Sequence, residues 1–142
     1  MKTMTIKSAM VLAMACTFTF TASAQLAPST ARQQEIRQER VLENFRVSLK
    51  SDYLGVVEGT IYNIVVYKKN YPQLDYSELV KALNRSSLED ENVAVRFKAH
   101  LASLYLTHDA AIEIVPVTNP ADHEYLFKQI AQQLETKFLV AR

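Results

Sequence analysis

The chain has 142 residues, 49% hydrophobic and 22% charged, an ordinary composition for one globular domain that excludes a disordered polymer. Sixteen Lys and Arg stand against 15 Asp and Glu, a formal net charge of +1 without any basic block, which argues against nucleic acid as the partner and against a polybasic hold on membranes. Only Gly55 and Gly59 are glycines, so a Gly-rich phosphate loop is excluded too.

Residues 1–24 read as a signal peptide. Lys2 and Lys7 precede an apolar run over residues 9–20, and Ala22-Ser23-Ala24 supplies the small-x-small pattern of a cleavage site between Ala24 and Gln25. The run is too short and too rich in Thr to span a membrane, and no second apolar segment of about 20 residues follows. The expected mature protein, residues 25–142, is therefore a single soluble domain exported to the periplasm or the medium. The only cysteine, Cys16, lies in that leader, where Ala13-Met14-Ala15-Cys16 faintly resembles a lipoprotein processing box with its leucine one place early. Without it the mature chain has no disulfide, thiol nucleophile or Cys-based metal site. Losing two lysines and no acids leaves it with 14 basic and 15 acidic residues, a net charge of −1.

In the mature chain, Thr30 with Gln33 fits a capping box opening a helix at Ala31, and Val41, Leu42, Phe45 and Leu49 give it an apolar stripe ending near residues 50–52. Residues 55–70 are β-branched enough to pass for a buried strand. Val57, Ile61, Ile64 and Lys68 nevertheless keep helical spacing, Lys68 and Lys69 suit a helix C-terminus, and Asn70 with Pro72 reads as a stop, so a helix is expected. A short third helix should run to about Arg85. Asp75 is its expected N-cap, Glu78 stands three residues on, and Leu74 staples against Leu79, with Leu79, Val80 and Leu83 facing inward.

Residues 92–108 predict a central helix. Arg96, His100, Ser103 and Thr107 fall on one narrow polar stripe, while Val93, Val95, Phe97, Leu101 and their neighbours cover the remaining surface, so the helix should be wrapped on most sides. Residues 111–117 have strand propensity but no evident partner, and Pro116 removes a ladder donor. An extended arm lying across the helices is the first reading; an exposed edge that recruits another chain is the second. Asn119 as cap and Pro120 at the first helical position then open a last helix with a stripe of Leu126, Phe127, Ile130, Leu134 and Phe138.

A repeat runs through these elements. Asp52-Tyr53-Leu54-Gly55-Val56-Val57-Glu58 answers Asp90-Glu91-Asn92-Val93-Ala94-Val95-Arg96 at a spacing of 38 residues, with Phe45 against Leu83 and Ile64 against Ala102; a spacing of 39 aligns Thr60 with Ala99 and Val65 with Leu104. Through the acidic turn, the Val-Arg pair and the small residue in Asp90-Glu91-Asn92-Val93-Ala94-Val95-Arg96-Phe97-Lys98-Ala99, the sequence resembles a HEAT-type helical repeat over residues 45–106. The resemblance implies an all-α fold, a small α/α solenoid or bundle of about five helices with one extended arm, that binds other proteins. Glu58 departs from the pattern by standing where Arg is usual, which would set it against Asp52.

No catalytic or cofactor constellation stands out. His100 and His108 are eight residues apart on one helix, about 12 Å in rise, too far to share an ion. His108-Asp109 and His123-Glu124 could converge only across the arm. Ser103 near His100 and His108 has neither a strained elbow nor an oxyanion hole, and Arg96 reads as a loop-bracing ion pair with Asp90. No enzyme activity, cofactor or metal is therefore assigned. Tyr53, Tyr62, Tyr67, Tyr71 and Tyr76 cluster around the second helix and suit either a protein-recognition surface or the rim of a helical core. The expected function is an exported, non-catalytic protein-binding or scaffold module. Alternatives are a small-ligand carrier or enzyme with an apolar pocket between helices, and a self-associating structural protein with its arm exchanged between subunits.

Overall fold

The computed structural model describes residues 26–108, 112–115 and 123–139. The chain divides into two compact units, Met1–Gln34 and Glu35–Arg142. Among the described residues there are five helices and no strand: α1 (Leu26–Ser48), α2 (Leu54–Asn70), α3 (Ser77–Glu89), α4 (Val93–His108) and α5 (His123–Leu139). Residues 112–115 form an extended arm. The expected all-α class with about five helices and one arm is thus the observed one. The leader, the cut between Ala24 and Gln25, Cys16, and the Asn119-Pro120 cap lie outside the described residues.

Of the first unit, residues 26–34 are described. They are the opening turns of α1, exposed from Thr30 on. The helix therefore starts five residues before the expected Ala31, and Thr30 is inside it. Pro28 does not oppose this, because it sits in the first turn, where an N–H has no helical acceptor anyway.

In the second unit the helix ends follow from local polar chemistry. Tyr53 caps α2 through its carbonyl, which accepts from the N–H groups of Val56 (2.9 Å) and Val57 (3.2 Å). The Thr60 hydroxyl donates to the Val56 carbonyl at 2.7 Å, so a β-branched residue with strand propensity is satisfied inside the helix. At the other end the Lys68 ammonium donates to the Pro72 carbonyl at 3.0 Å. For α3 the cap differs from expectation. Tyr76, not Asp75, is the N-cap residue, and the Asp75 carboxylate accepts from the Ser77 N–H at 2.9 Å, one position early. That hydrogen bond, then one from the Ser77 side chain, holds the Asp75 carboxyl below its usual pKa. The helix also runs past Arg85 to Glu89.

The turn into α4 is a chain of side-chain bonds. Asp90 Oδ1 accepts from the Asn92 N–H (2.8 Å), and Asn92 Oδ1 accepts from the N–H groups of Ala94 (2.8 Å) and Val95 (3.3 Å), making Asn92 the N-cap. Arg96 braces this turn as expected in place but not in kind. It donates to the backbone carbonyls of Asp90 (2.7 Å) and Glu91 (3.2 Å), not to a carboxylate.

One apolar cluster runs from Leu49 through α2, α3 and α4 to Ile112, Ile114 and the α5 stripe of Leu126, Phe127, Ile130 and Leu134. Its periodicity separates the two possible spacings. The buried positions of α2 are 57, 60, 61, 64, 65 and 68; moved by 38 they become 95, 98, 99, 102, 103 and 106, all buried in α4. Moved by 39, only Ala99 and Ser103 are buried. The same 38-residue step carries 38, 41, 42, 45, 48 and 49, along α1 and its exit, onto 76, 79, 80, 83, 86 and 87, along α3 and its N-cap, and none of the twelve is exposed. Two helix pairs, α1–α2 and α3–α4, therefore share one burial pattern.

The central helix is less enclosed than its composition suggests. It packs against α2, α3 and α5, and it buries Leu101 and Tyr105 in line with Lys98, on the flank that meets α5. The fourth side is open. Val93 is 68% exposed and Phe97 55%, and His100 is exposed as well. Among the described residues, α2, α3 and α5 leave part of this largely apolar helix uncovered.

Candidate functional site

Three features of the second unit could carry function: a charged junction, a clamped arm and an open apolar face. The junction centres on Lys98 of α4, whose side chain is 8% exposed. Its ammonium pairs with Glu58 of α2 at 2.9 Å and with Glu124 of α5 at 2.5 Å, and lies 6.0 Å from the centre of the Phe127 ring. Burial alone would lower the lysine pKa, but the hydrogen bonds that its ammonium donates to Glu124 and Glu58 outweigh it and hold the group above its ordinary value. The lysine ties three helices together. Glu58, which the repeat would set against Asp52, thus pairs with a lysine of the next helix pair.

The arm is held through its backbone. The Gln133 side-chain amide accepts from the Glu113 N–H at 2.8 Å and donates back to the Glu113 carbonyl. Gln129 does the same for Val115, accepting at 3.1 Å and donating at 3.3 Å. Glutamines one helical turn apart thereby match two arm residues two apart, while Ile112 and Ile114, which point the other way, are buried. Lys69 of α2 donates to the Ile114 carbonyl. The arm lies across the helices, and the backbone groups of residues 113 and 115 that an added strand would need are taken.

The five tyrosines do not share one surface. Tyr67, Tyr71 and Tyr76 come together at the exit of α2. The Tyr67 ring packs edge-on to Phe45 at 5.6 Å and lies 4.6 Å from Tyr71; the Tyr76 hydroxyl donates to the Tyr71 carbonyl at 2.9 Å, and Lys68 sits over the Tyr76 ring. Burial, then the neighbouring Tyr71, raises the Tyr67 pKa. Tyr62, half-buried, stacks on His123 at 4.0 Å. Tyr53 stands exposed at the opposite end of α2, about 20 Å from Tyr67 by helical rise.

Other polar candidates have structural duties. The buried Ser103 hydroxyl donates to Asn84 Oδ1 at 2.6 Å, locking α4 to α3, and His108 Nδ1 lies 3.1 Å from the Leu104 carbonyl. No three His, Cys, Asp or Glu side chains converge as metal ligands among the described residues. Spacing had no means of finding the Lys98 junction or the glutamine clamp. Their members are 40, 26, 20 and 14 residues apart in sequence, and each alone reads as a solvated side chain.

The open face remains. Val93 and Phe97 project from α4 one turn apart. Tyr53, Leu54 and Val56 are exposed at the start of α2. These helix starts are neighbours, because Leu54 and Val57 line a furrow of about 270 Å³ together with Asp90, Glu91, Asn92 and Val95. Comparison with family models, with curated proteins and with solved structures finds no match.

Proposed function

We propose that the protein is an exported, non-catalytic binding module of two HEAT-type helix pairs closed by a fifth helix, and that it docks another protein on the open side of α4. The observation that carries this reading is the exposure of Val93 and Phe97. A helix serving only its own core places polar residues on its solvent side, whereas a bulky aromatic one turn from a valine is the pattern of a binding anchor. The common burial pattern of the two pairs supports the repeat, and the Lys2, Lys7 and Ala22-Ser23-Ala24 leader supports export.

The test is a crosslinked capture from envelope extract with the exported protein as bait. The expected bait begins at Gln25 by mass spectrometry and retains a stoichiometric protein partner. A Phe97→Glu variant should lose that partner while melting within about 0.5 kcal/mol of the parent, since the position is exposed. Recovery of no stoichiometric partner, or equal recovery with the variant, overturns the reading.

A further inference from the structure

The uncovered apolar side chains of the second unit are not scattered. Of the large ones exposed among the described residues, all but Ile36, Val115 and Tyr125 sit at the end where α1 and α3 stop and α2 and α4 start. The two turns at that end are neighbours, and Asp52 of one lines a common furrow with Asp90 and Glu91 of the other. Leu54, Val57 and Val95 give the furrow aliphatic walls, and no lysine or arginine is in its lining. The cations of α4 are engaged elsewhere: Arg96 donates to the Asp90 and Glu91 carbonyls, and Lys98 pairs with Glu58 and Glu124. Lys50 borders the furrow between α1 and α3 instead. Acids at helix starts suit the helix dipole, and Asp90 also takes the Asn92 N–H. Neither fact accounts for the apolar surface left open beside them. Aliphatic walls under carboxylates do match a lysine or arginine side chain, which covers its stem and presents its charged head to an acid.

From this end an uncovered line runs along α4. Val93, Phe97, His100, Leu104 and Thr107 stand at i, i+4, i+7, i+11 and i+14, about 21 Å of helical rise. Leu104 is half-buried and the other four are exposed. Alternating steps of four and three residues make the seam along which a second helix packs. The seam lies between Ser103, which bonds Asn84 of α3, and Lys98, which bonds Glu124 of α5, so a helix seated there is bordered on both sides.

We propose that this side of α4 receives an amphipathic helix of another protein, antiparallel to α4, with a lysine or arginine of its last turn in the furrow beside Asp52 and Glu91. The proposal rests on the docking reading above and adds the partner's form and charge. Apolar residues of the incoming helix cover Val93, Phe97 and Leu104. Its direction follows from the dipoles: a helix carries basic side chains best in its last turn, and only the antiparallel arrangement brings that turn to the start of α4. The same carboxylates repel an anionic membrane surface.

The test is a displayed library of peptides of about 18 residues, sorted in parallel against the exported protein and Phe97→Glu. Each peptide has leucine or phenylalanine at the seam positions and Lys, Glu, Ser or Ala elsewhere. Wild type is expected to enrich peptides with Lys in the last turn and not the first, and Phe97→Glu to enrich none of them. The target contains no tryptophan, so one tryptophan in a selected peptide reports its binding, which should weaken about tenfold between 50 and 500 mM salt. Asp52→Lys with Glu91→Lys, both at exposed positions, should keep the parent's circular dichroism, bind that peptide at least tenfold more weakly and enrich Glu in the last turn instead. No enrichment, enrichment without charge bias, Lys favoured in the first turn, or a preference unchanged in the double variant overturns the proposal. So does a dimer of the protein alone that Phe97→Glu dissolves, or binding to anionic vesicles. In each of these cases the docking reading stands while Phe97→Glu still loses the partner captured from envelope extract; if the variant keeps both peptides and partner, the docking reading falls as well.

Discussion

Lys98 shows how much one residue contributes when its partners come from two other helices. With the side chain 8% exposed, removing its charge while keeping its stem, as in Lys98→Met, costs the two charge-assisted hydrogen bonds but leaves their carboxylates near water, Glu124 almost fully so. The expected loss is about 2 kcal/mol in urea unfolding, less than for a fully enclosed pair. The pH dependence has a definite sign. A lysine whose pKa is raised by folding stabilises the native state fully below its ordinary value of 10.5, and that contribution fades as the pH climbs through the higher folded value. Wild type should therefore lose stability above pH 10.5 more steeply than Lys98→Met. Parallel alkaline profiles would show that the junction contributes nothing. None of this was legible in the sequence, where Lys98 is one of 16 basic residues and its partners lie 40 and 26 positions away.

Elements were far more legible, because apolar spacing of 3.6 is a local signal and five such stripes are present. The errors lie where polar residues decide the ends. The third helix is expected to end near Arg85, yet the Ser87 hydroxyl donates to the Asn84 carbonyl at 2.8 Å and the helix continues to Glu89. The arm was legible as an extended segment without a strand partner, but not what holds it, since a helix with two glutamines one turn apart has no signature of its own. That arrangement carries a prediction. Gln133→Ala should speed hydrogen exchange at the Glu113 amide and leave Val115 protected, and Gln129→Ala should do the reverse, with α5 unchanged in both. Equal exchange of both amides in all three proteins would mean that burial of Ile112 and Ile114 alone fixes the arm.

For the folded unit as a whole, the 38-residue step explains why a strand-like α2 is a helix. Its two buried isoleucines occupy the same inward positions that α4 fills with alanines, Ile61 answering Ala99 and Ile64 answering Ala102, all 0% exposed. Bulk on one inner helix and small residues on the next let parallel neighbours approach without a void. The sequence left spacings of 38 and 39 undecided because a one-residue slip still aligns apolar with apolar; only burial distinguishes them. Two substitutions put this to the test. Ile64→Ala should cost about 3 kcal/mol by opening a cavity, and since one cluster joins all the helices of this unit, far-ultraviolet and tyrosine near-ultraviolet signals should fall together. Ala102→Ile, which copies the α2 residue into the equivalent place on α4, should also destabilise, by about 1 to 3 kcal/mol, because that site is already filled. If Ala102→Ile were neutral or stabilising, α4 would have room where the packing leaves none, and the complementary sizes of the two inner helices would have no part in holding them together.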